Sequence, residues 1–253
     1  LSGPLCLYYY DEKSLGGDTM KRTILLFIIL FSFSLAEDFV LQFDGVDDSL
    51  VLGSSEPLSG SSYTIEFKIK KNADGACGGS GPCGMHLIGS GQFLSANMLS
   101  YIENSKFSFT HWQGGEPISS INVDDDIWYD LAYSFDISNH QGKVYINGID
   151  VGTNTLGAHF GSGNNCEFCN NGGSYTFPSN FLVGASLGTN PQDYFSGQMD
   201  EIKIWNYKRQ PTNNTLISGS EEGLVAYYNF NFGEGNTLYD HSGNENHGTI
   251  YGA

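Results

Sequence analysis

The sequence predicts an all-β protein, an antiparallel two-sheet jelly-roll β-sandwich, and three observations carry that expectation. Short runs with strand character recur at close intervals, separated by turn residues. The 253 residues include 33 Gly, 15 Tyr and 17 Phe, a composition that favours turns and strands over helices. Ala and Leu form no long stripe of 3.6-residue period, as a helical bundle would require.

Taken in order, the runs are FVLQF (39–43), SLVL (49–52), YTIEFKIK (63–70), MLSYIE (98–103), KFSFTHW (106–112), WYDLAYSF (128–135), KVYINGI (143–149), NFLVGAS (180–186), MDEIKIWN (199–206) and GLVAYYNF (223–230). YTIEFKIK alternates without a break: Tyr63, Ile65, Phe67 and Ile69 share one face, and Thr64, Glu66, Lys68 and Lys70 the other. One face of that strand meets a core and the other meets water. Asp44-Gly45 divides the first two runs, and Asn147-Gly148 before Ile149 and Val151 reads as a tight hairpin. PTNNTLIS is the one helical suggestion, with Pro211 opening a short turn. No crossover-helix pattern exists, so nucleotide-binding α/β folds are excluded.

The 28 acidic residues outnumber the 11 basic ones, for a net charge of -17. Residues 1–36 hold three bases and three acids, so the whole excess belongs to the rest, eight bases against 25 acids. Such a surface repels phosphate backbones and anionic lipid, which excludes nucleic acid as a partner. Met20, Lys21 and Arg22 precede TILLFIILFSFSLA, a basic-then-apolar run ending in the small residues Ser34 and Ala36. This reads as a signal peptide over 20–36, and the apolar run falls short of the roughly 20 residues a membrane span needs. Residues 1–19 lie upstream of that apparent start and read as a leader. The mature chain, 37–253, is expected to be secreted or at the cell surface, with no membrane segment of its own.

An exported chain makes disulfides the natural reading of Cys77, Cys83, Cys166 and Cys169, which lie in Gly- and Asn-rich stretches between strands. Local pairing, Cys77 with Cys83 and Cys166 with Cys169, is expected, although four cysteines allow three connectivities. A four-thiolate zinc site is the alternative, but only CEFC has the tight spacing of such sites. A redox role for CEFC lacks the βαβ surroundings it would need.

Acidic clusters mark candidate cation sites. FDGVDD places Asp44, Asp47 and Asp48 in one turn, offering the hard oxygen ligands that calcium takes. In MDEIKIW the apolar residues Met199, Ile202 and Ile204 break alternation at Asp200-Glu201, which predicts a β-bulge that re-aims a carboxylate. The alternative is that Asp44 and Asp47 form the turn and Asp200 is a solvated charge. Asp124, Asp125 and Asp126 make a third acidic run, but contiguous acids on an extended chain do not converge on one ion.

The segments LQFDGVDDSLVL, SYTIEFKIK, DDIWYDLAYSFDISNHQGKVYINGIDVG and SGQMDEIKIWNYKR, in that order, resemble the concanavalin A-like lectin/glucanase superfamily. More narrowly, they are similar to its laminin-G-like, pentraxin-related modules of secreted bacterial proteins. The resemblance spans roughly residues 37–210. It implies a jelly roll that binds carbohydrate or another surface ligand, with a structural calcium between early and late strands. Carried over, that calcium falls to Asp44, Asp47 and Asp200, with Glu201 as a further ligand. The tail 219–253 either completes the sandwich, the favoured reading, or opens a truncated second repeat of a larger protein.

Catalysis was tested against the superfamily's glucanases. Their acids alternate as Glu-x-Asp-x-Glu, whereas Asp200 and Glu201 are adjacent and Glu66 stands alone between Ile65 and Phe67. The six His show no HExxH spacing, and no GxSxG turn is present. The expected protein is therefore non-catalytic: a carbohydrate-binding or adhesion module stabilised by calcium. A glycoside hydrolase or polysaccharide lyase and a structural, protein-binding module are the alternatives. Trp112, Tyr101 and Tyr194 are the candidate ligand-binding aromatics, unless they pack instead, while Trp128 and Trp205 are expected in the core.

Overall fold

The computed structural model describes residues 39–54, 58, 60–72, 84–92, 95–110, 117–155, 180–185, 193–212, 217–231 and 235–252. Residues 1–38, where a leader and signal peptide are expected, Cys77, Cys83, Cys166 and Cys169, Trp112 and the middle of PTNNTLIS lie outside them. Among the described residues every regular element of more than one residue is a strand, and the strands form two antiparallel sheets, the sandwich that the runs predict. None of their elements is a helix long and apolar enough to cross a membrane.

Sheet A holds β1 (Leu41–Asp44), β11 (Ser196–Trp205), β3 (Tyr63–Lys71), β7 (Trp128–Asp136), β8 (Gln141–Ile146) and β9 (Ile149–Thr155), in that spatial order. It also takes β12 (Leu224–Tyr228), which pairs with β11. Sheet B runs β13 (Thr237–Leu238), β14 (Gly248–Tyr251), β2 (Ser49–Ser54), β10 (Asn180–Val183), β4 (Met85–Gln92), β5 (Ser95–Glu103) and β6 (Lys106–Thr110). The tail thus supplies β12 to one sheet and β13 and β14 to the other.

The alternation of YTIEFKIK decides which face of β3 is buried: Tyr63, Ile65, Phe67 and Ile69 enter the core between the sheets. They meet Leu131, Tyr133 and Phe135 of β7 and, from sheet B, Phe107 and Phe109. Phe109 stacks on Tyr133 at 4.1 Å, and Tyr63 meets Tyr133 edge-on at 6.2 Å, so aromatic rings bridge the two sheets. Asn147 and Gly148, both with positive φ, turn β8 into β9, the geometry that matches the twist of a hairpin.

The tail is tied down by one carboxylate that the sequence reading overlooked. Asp240 accepts the Tyr227 and Ser242 N–H groups at 2.9 Å, the Asn246 N–H at 3.0 Å and the Ser242 hydroxyl at 2.8 Å. Asn244 adds bonds to the Leu224 and Val225 carbonyls. The signal was in DHSGNEN: short polar side chains around a Gly form such self-bonded turns.

Candidate functional site

Two places gather chemistry, a turn at one end of the sandwich and the outer face of sheet A. The turn joins β1 to β2. Asp44 Oδ1 accepts the Val46 N–H at 2.7 Å, which curls the backbone, and Asp48 Oδ2 accepts the Asp44 N–H at 2.7 Å. These bonds draw carboxylate oxygens of Asp44, Asp47 and Asp48 within 4.8 Å of one another. Asp48 is 5 % exposed, whereas Asp44 and Asp47 face solvent. Burial pushes the Asp48 carboxyl above its usual range; the Asp44 N–H opposes that shift and the charges of Asp44 and Asp47 add to it. Among the described residues, no Lys or Arg forms an ion pair with any of the three.

The final strand closes over this turn. Tyr251 pairs with Ser49, so Gly252 lies against Asp48. Its φ is +84°, and a Cβ there would fall 2.6 Å from Asp48 Oδ1 and 2.9 Å from the Asp47 carbonyl oxygen. Only glycine lets the backbone approach the carboxylates this closely.

The structure sets the four expected ligands apart in two places. Asp44 pairs with Ser196, which leaves Asp200 four residues further along β11, about 13 Å away at the rise of a strand. The third acid beside Asp44 and Asp47 is Asp48, their neighbour in sequence. The bulge expected at Asp200-Glu201 is present: the β11–β3 register shifts between Asp200 and Lys203, and Glu201 has φ 52°. It turns Asp200 Oδ1 to accept the Glu201 N–H at 2.7 Å, and Glu201 pairs with Lys203 at 2.6 Å. The run Asp124–Asp126 is a clamp: Asp125 pairs with the buried Lys71, and the Asp126 N–H donates to the Lys71 carbonyl at 2.8 Å.

The outer face of sheet A carries the polar side of every alternating strand. Glu66, between the core residues Ile65 and Phe67, points outward, as do Lys203 and Trp205 of β11. Residues 206–212 fold back over that face: the Arg209 N–H donates to Thr64 Oγ1 at 3.0 Å, which in turn donates to the Tyr207 carbonyl at 3.0 Å. Lys208 pairs with Asp136 at 2.7 Å and, together with the Ser138 hydroxyl, holds that carboxyl down at about 2. The Arg209 guanidinium lies 4.0 Å over the Trp205 ring and 3.3 Å from Glu66 Oε1. Burial pushes the Glu66 carboxyl up, and the charges of Arg209 and Lys203 oppose that shift. The Trp205 side chain lies against the same carboxylate, and its hydrogen bond to Glu66 also opposes the upward shift.

The aromatic candidates separate. Tyr101, predicted to contact ligand, is 3 % exposed: alternation with the core residue Ile102 turns it to the outer face of sheet B, where it packs 6.4 Å from His86. Tyr194 is half-buried just before β11. Trp128 and Trp205 were expected in the core, and both instead face outward from sheet A. Trp128 is half-buried, with Lys70 5.6 Å over its ring, and Trp205 is buried by Arg209 rather than by the opposite sheet.

This architecture defines a jelly-roll sandwich of the lectin type. Residues 44–213 match the laminin G-type family model described as concanavalin A-like lectin/glucanases superfamily, and the chain belongs to that superfamily. A Bacteroides ovatus protein to which carbohydrate binding is ascribed is similar in structure. Its TM-score is 0.59 at 18% identity, with 84% of this chain and 59% of that chain covered. This chain therefore spans only about six tenths of that relative. The SAP-like pentraxin of Limulus polyphemus has a TM-score of 0.48 at 13% identity, covering 69% of this chain and 78% of that one. The CBM40 module of a Ruminococcus gnavus sialidase, bound to α2,3 sialyllactose, has a TM-score of 0.47 at 15% identity, covering 69% and 94%. No curated protein sequence matches the chain.

Proposed function

We propose that the chain is a secreted, non-catalytic carbohydrate-binding module whose fold is stabilised by calcium. The observation that carries the carbohydrate reading is membership of the lectin/glucanase superfamily, together with the likeness to the Bacteroides ovatus protein. The non-catalytic part is supported by how the acids of sheet A are used. A retaining glycosidase needs two carboxylates about 5 to 5.5 Å apart, one of them a free nucleophile. On this sheet Glu66 is in ion-pair contact with Arg209, Glu201 is paired with Lys203, and Asp136 with Lys208.

The calcium reading is supported by the turn at Asp44. Three carboxylates crowd together with no basic partner among the described residues, one of them buried, and their oxygens are the donor type a hard divalent cation takes. Asp44, Asp47 and Asp48 would hold the ion. It would supply charge neutralisation between the β1–β2 turn and the last strand, and no chemistry of bond making. A glycan array run with calcium and again with chelator tests both parts. Binding that weakens in chelator supports them, and equal binding in the two conditions removes calcium from the account.

A further inference from the structure

A strand at the edge of a sheet offers a row of backbone groups to any other strand, and the edges of this sandwich are closed in different ways. Residues 117–123 run along two of them. They pair with β6 through Ser108 and Ile118, and the Ser120 N–H donates to the Val151 carbonyl of β9 at 2.7 Å. The β13 edge is only two residues long. On the remaining side of sheet A, β1 and β12 share the flank of β11.

The β12 edge is the one that composition leaves open. The run GLVAYYNFNF (223–232) is rich in β-formers and holds no charged residue and no Pro, the residues that usually blunt an edge. Its outward backbone groups are answered instead by the turn 239–247. Tyr227 lies opposite Lys203, and its backbone groups point away from β11: the N–H donates to Asp240 Oδ1 at 2.9 Å, and the carbonyl accepts the His241 N–H at 2.7 Å. The Val225 carbonyl accepts from Ser242 Oγ, Asn244 Nδ2 and Asn246 Nδ2, and the Leu224 carbonyl from Asn244 Nδ2, all within 3.1 Å. These are the bonds that a further strand would make. Four side chains and one N–H of a turn make them here, and a turn offers no new row of backbone groups to the next strand.

We propose that the turn 239–247 is an edge guard: it occupies the flank of β12 and keeps that strand from pairing antiparallel with β12 of a second copy. With the guard withdrawn, two chains join about a two-fold axis through LVAYY. The second copy is the fitting partner because pairing about a two-fold axis needs a strand that tolerates its own image, and LVAYY sets no charge against itself. The carbohydrate reading neither requires this device nor is tested by it.

Sedimentation velocity on residues 37–253 over a range of concentrations tests the proposal. Asp240→Ala with Asn244→Ala withdraws two of the guard's side chains and is expected to dimerise at least tenfold more tightly than wild type. Adding Tyr227→Glu to that variant sets like charges across the seam, opposite Lys203 of each chain's own β11, and should return it to monomer. Ile149→Glu adds the same charge on β9, at a position 64 % exposed, and should leave the dimer intact. That contrast separates pairing at the edge from aggregation of a weakened fold, and near-ultraviolet circular dichroism shows that each variant is folded. Should the double variant not fold, Asn244→Ala alone, at an exposed position, is expected to associate at least threefold more tightly than wild type. A folded guard variant that associates no more than wild type, a dimer that survives Tyr227→Glu, or one that Ile149→Glu also abolishes overturns the proposal. A wild type already dimeric and dissolved by Tyr227→Glu overturns it as well.

Discussion

Replacing Asp240 by Ala should loosen the tail from the sandwich. The carboxylate accepts three backbone N–H groups and one hydroxyl, and the residue is 8 % exposed. Hydrogen bonds to a charged group contribute about 1.5–3 kcal/mol each, and a buried donor left unpaired costs about 1–3 kcal/mol. The four bonds do not add at full value, because the groups they serve are only part-buried and water reaches some of them once the side chain is gone. A net loss of about 3 kcal/mol is the consistent figure. For a domain of this size each kcal/mol moves the midpoint by about 2–4 °C, so Tm should fall by about 6–12 °C. Differential scanning calorimetry reads this directly. Hydrogen exchange should show β12 and β14 losing protection first, since Tyr227 N–H and the Asn246 segment lose their acceptor. Asp240→Asn keeps one acceptor oxygen and should lose about half as much. A midpoint within 2 °C of wild type for Asp240→Ala would refute the claim that this carboxylate anchors the tail.

Other expectations follow from single contacts. Gly184 has φ +80°, and a Cβ there would lie 2.4 Å from the Phe43 ring, so Gly184→Ala should cost about 2–4 kcal/mol in urea denaturation. Asp136 is held at about 2 in the folded protein, below its unfolded value of about 3.9. The stability from its pairing is therefore present above pH 4 and lost as pH falls toward 2. Lys208→Ala should cost at most about 1 kcal/mol at neutral pH, because Lys208 is 41 % exposed, and that difference should vanish near pH 2. Calcium at a hundredfold excess over its Kd should stabilise the wild-type chain by about 2.7 kcal/mol, seen as a higher melting midpoint. Asp48→Asn should abolish that gain, whereas Asp200→Asn should leave it intact.

Local pattern carried much of this architecture. The alternation over Tyr63–Lys70 gave β3 its inner and outer faces, Asn147-Gly148 gave the hairpin, and the break at Asp200-Glu201 gave the bulge. Register was not legible, because pairing between distant strands depends on the whole sheet. Asp200 is adjacent to Glu201 in sequence and to Lys68 across the sheet, but it is four residues past the partner of Asp44. The carboxylates that do gather are neighbours in one turn, where Asp48 was already visible. Trp205 illustrates a second limit. Its burial could be anticipated from its size, but an indole can be buried by a guanidinium on an outer face as well as by the opposite sheet. Only the return of residues 206–212 across β3 distinguishes the two, and those contacts join residues more than 140 positions apart.

Incubating residues 37–253 with insoluble polysaccharides, then assaying both retained protein and released reducing ends, tests the central claim most directly. The account predicts that protein is retained on at least one polysaccharide, in a calcium-dependent manner, while reducing ends stay at the level of the protein-free control. Reducing ends that rise with protein concentration, or protein that stays wholly in solution with every polysaccharide, would contradict it.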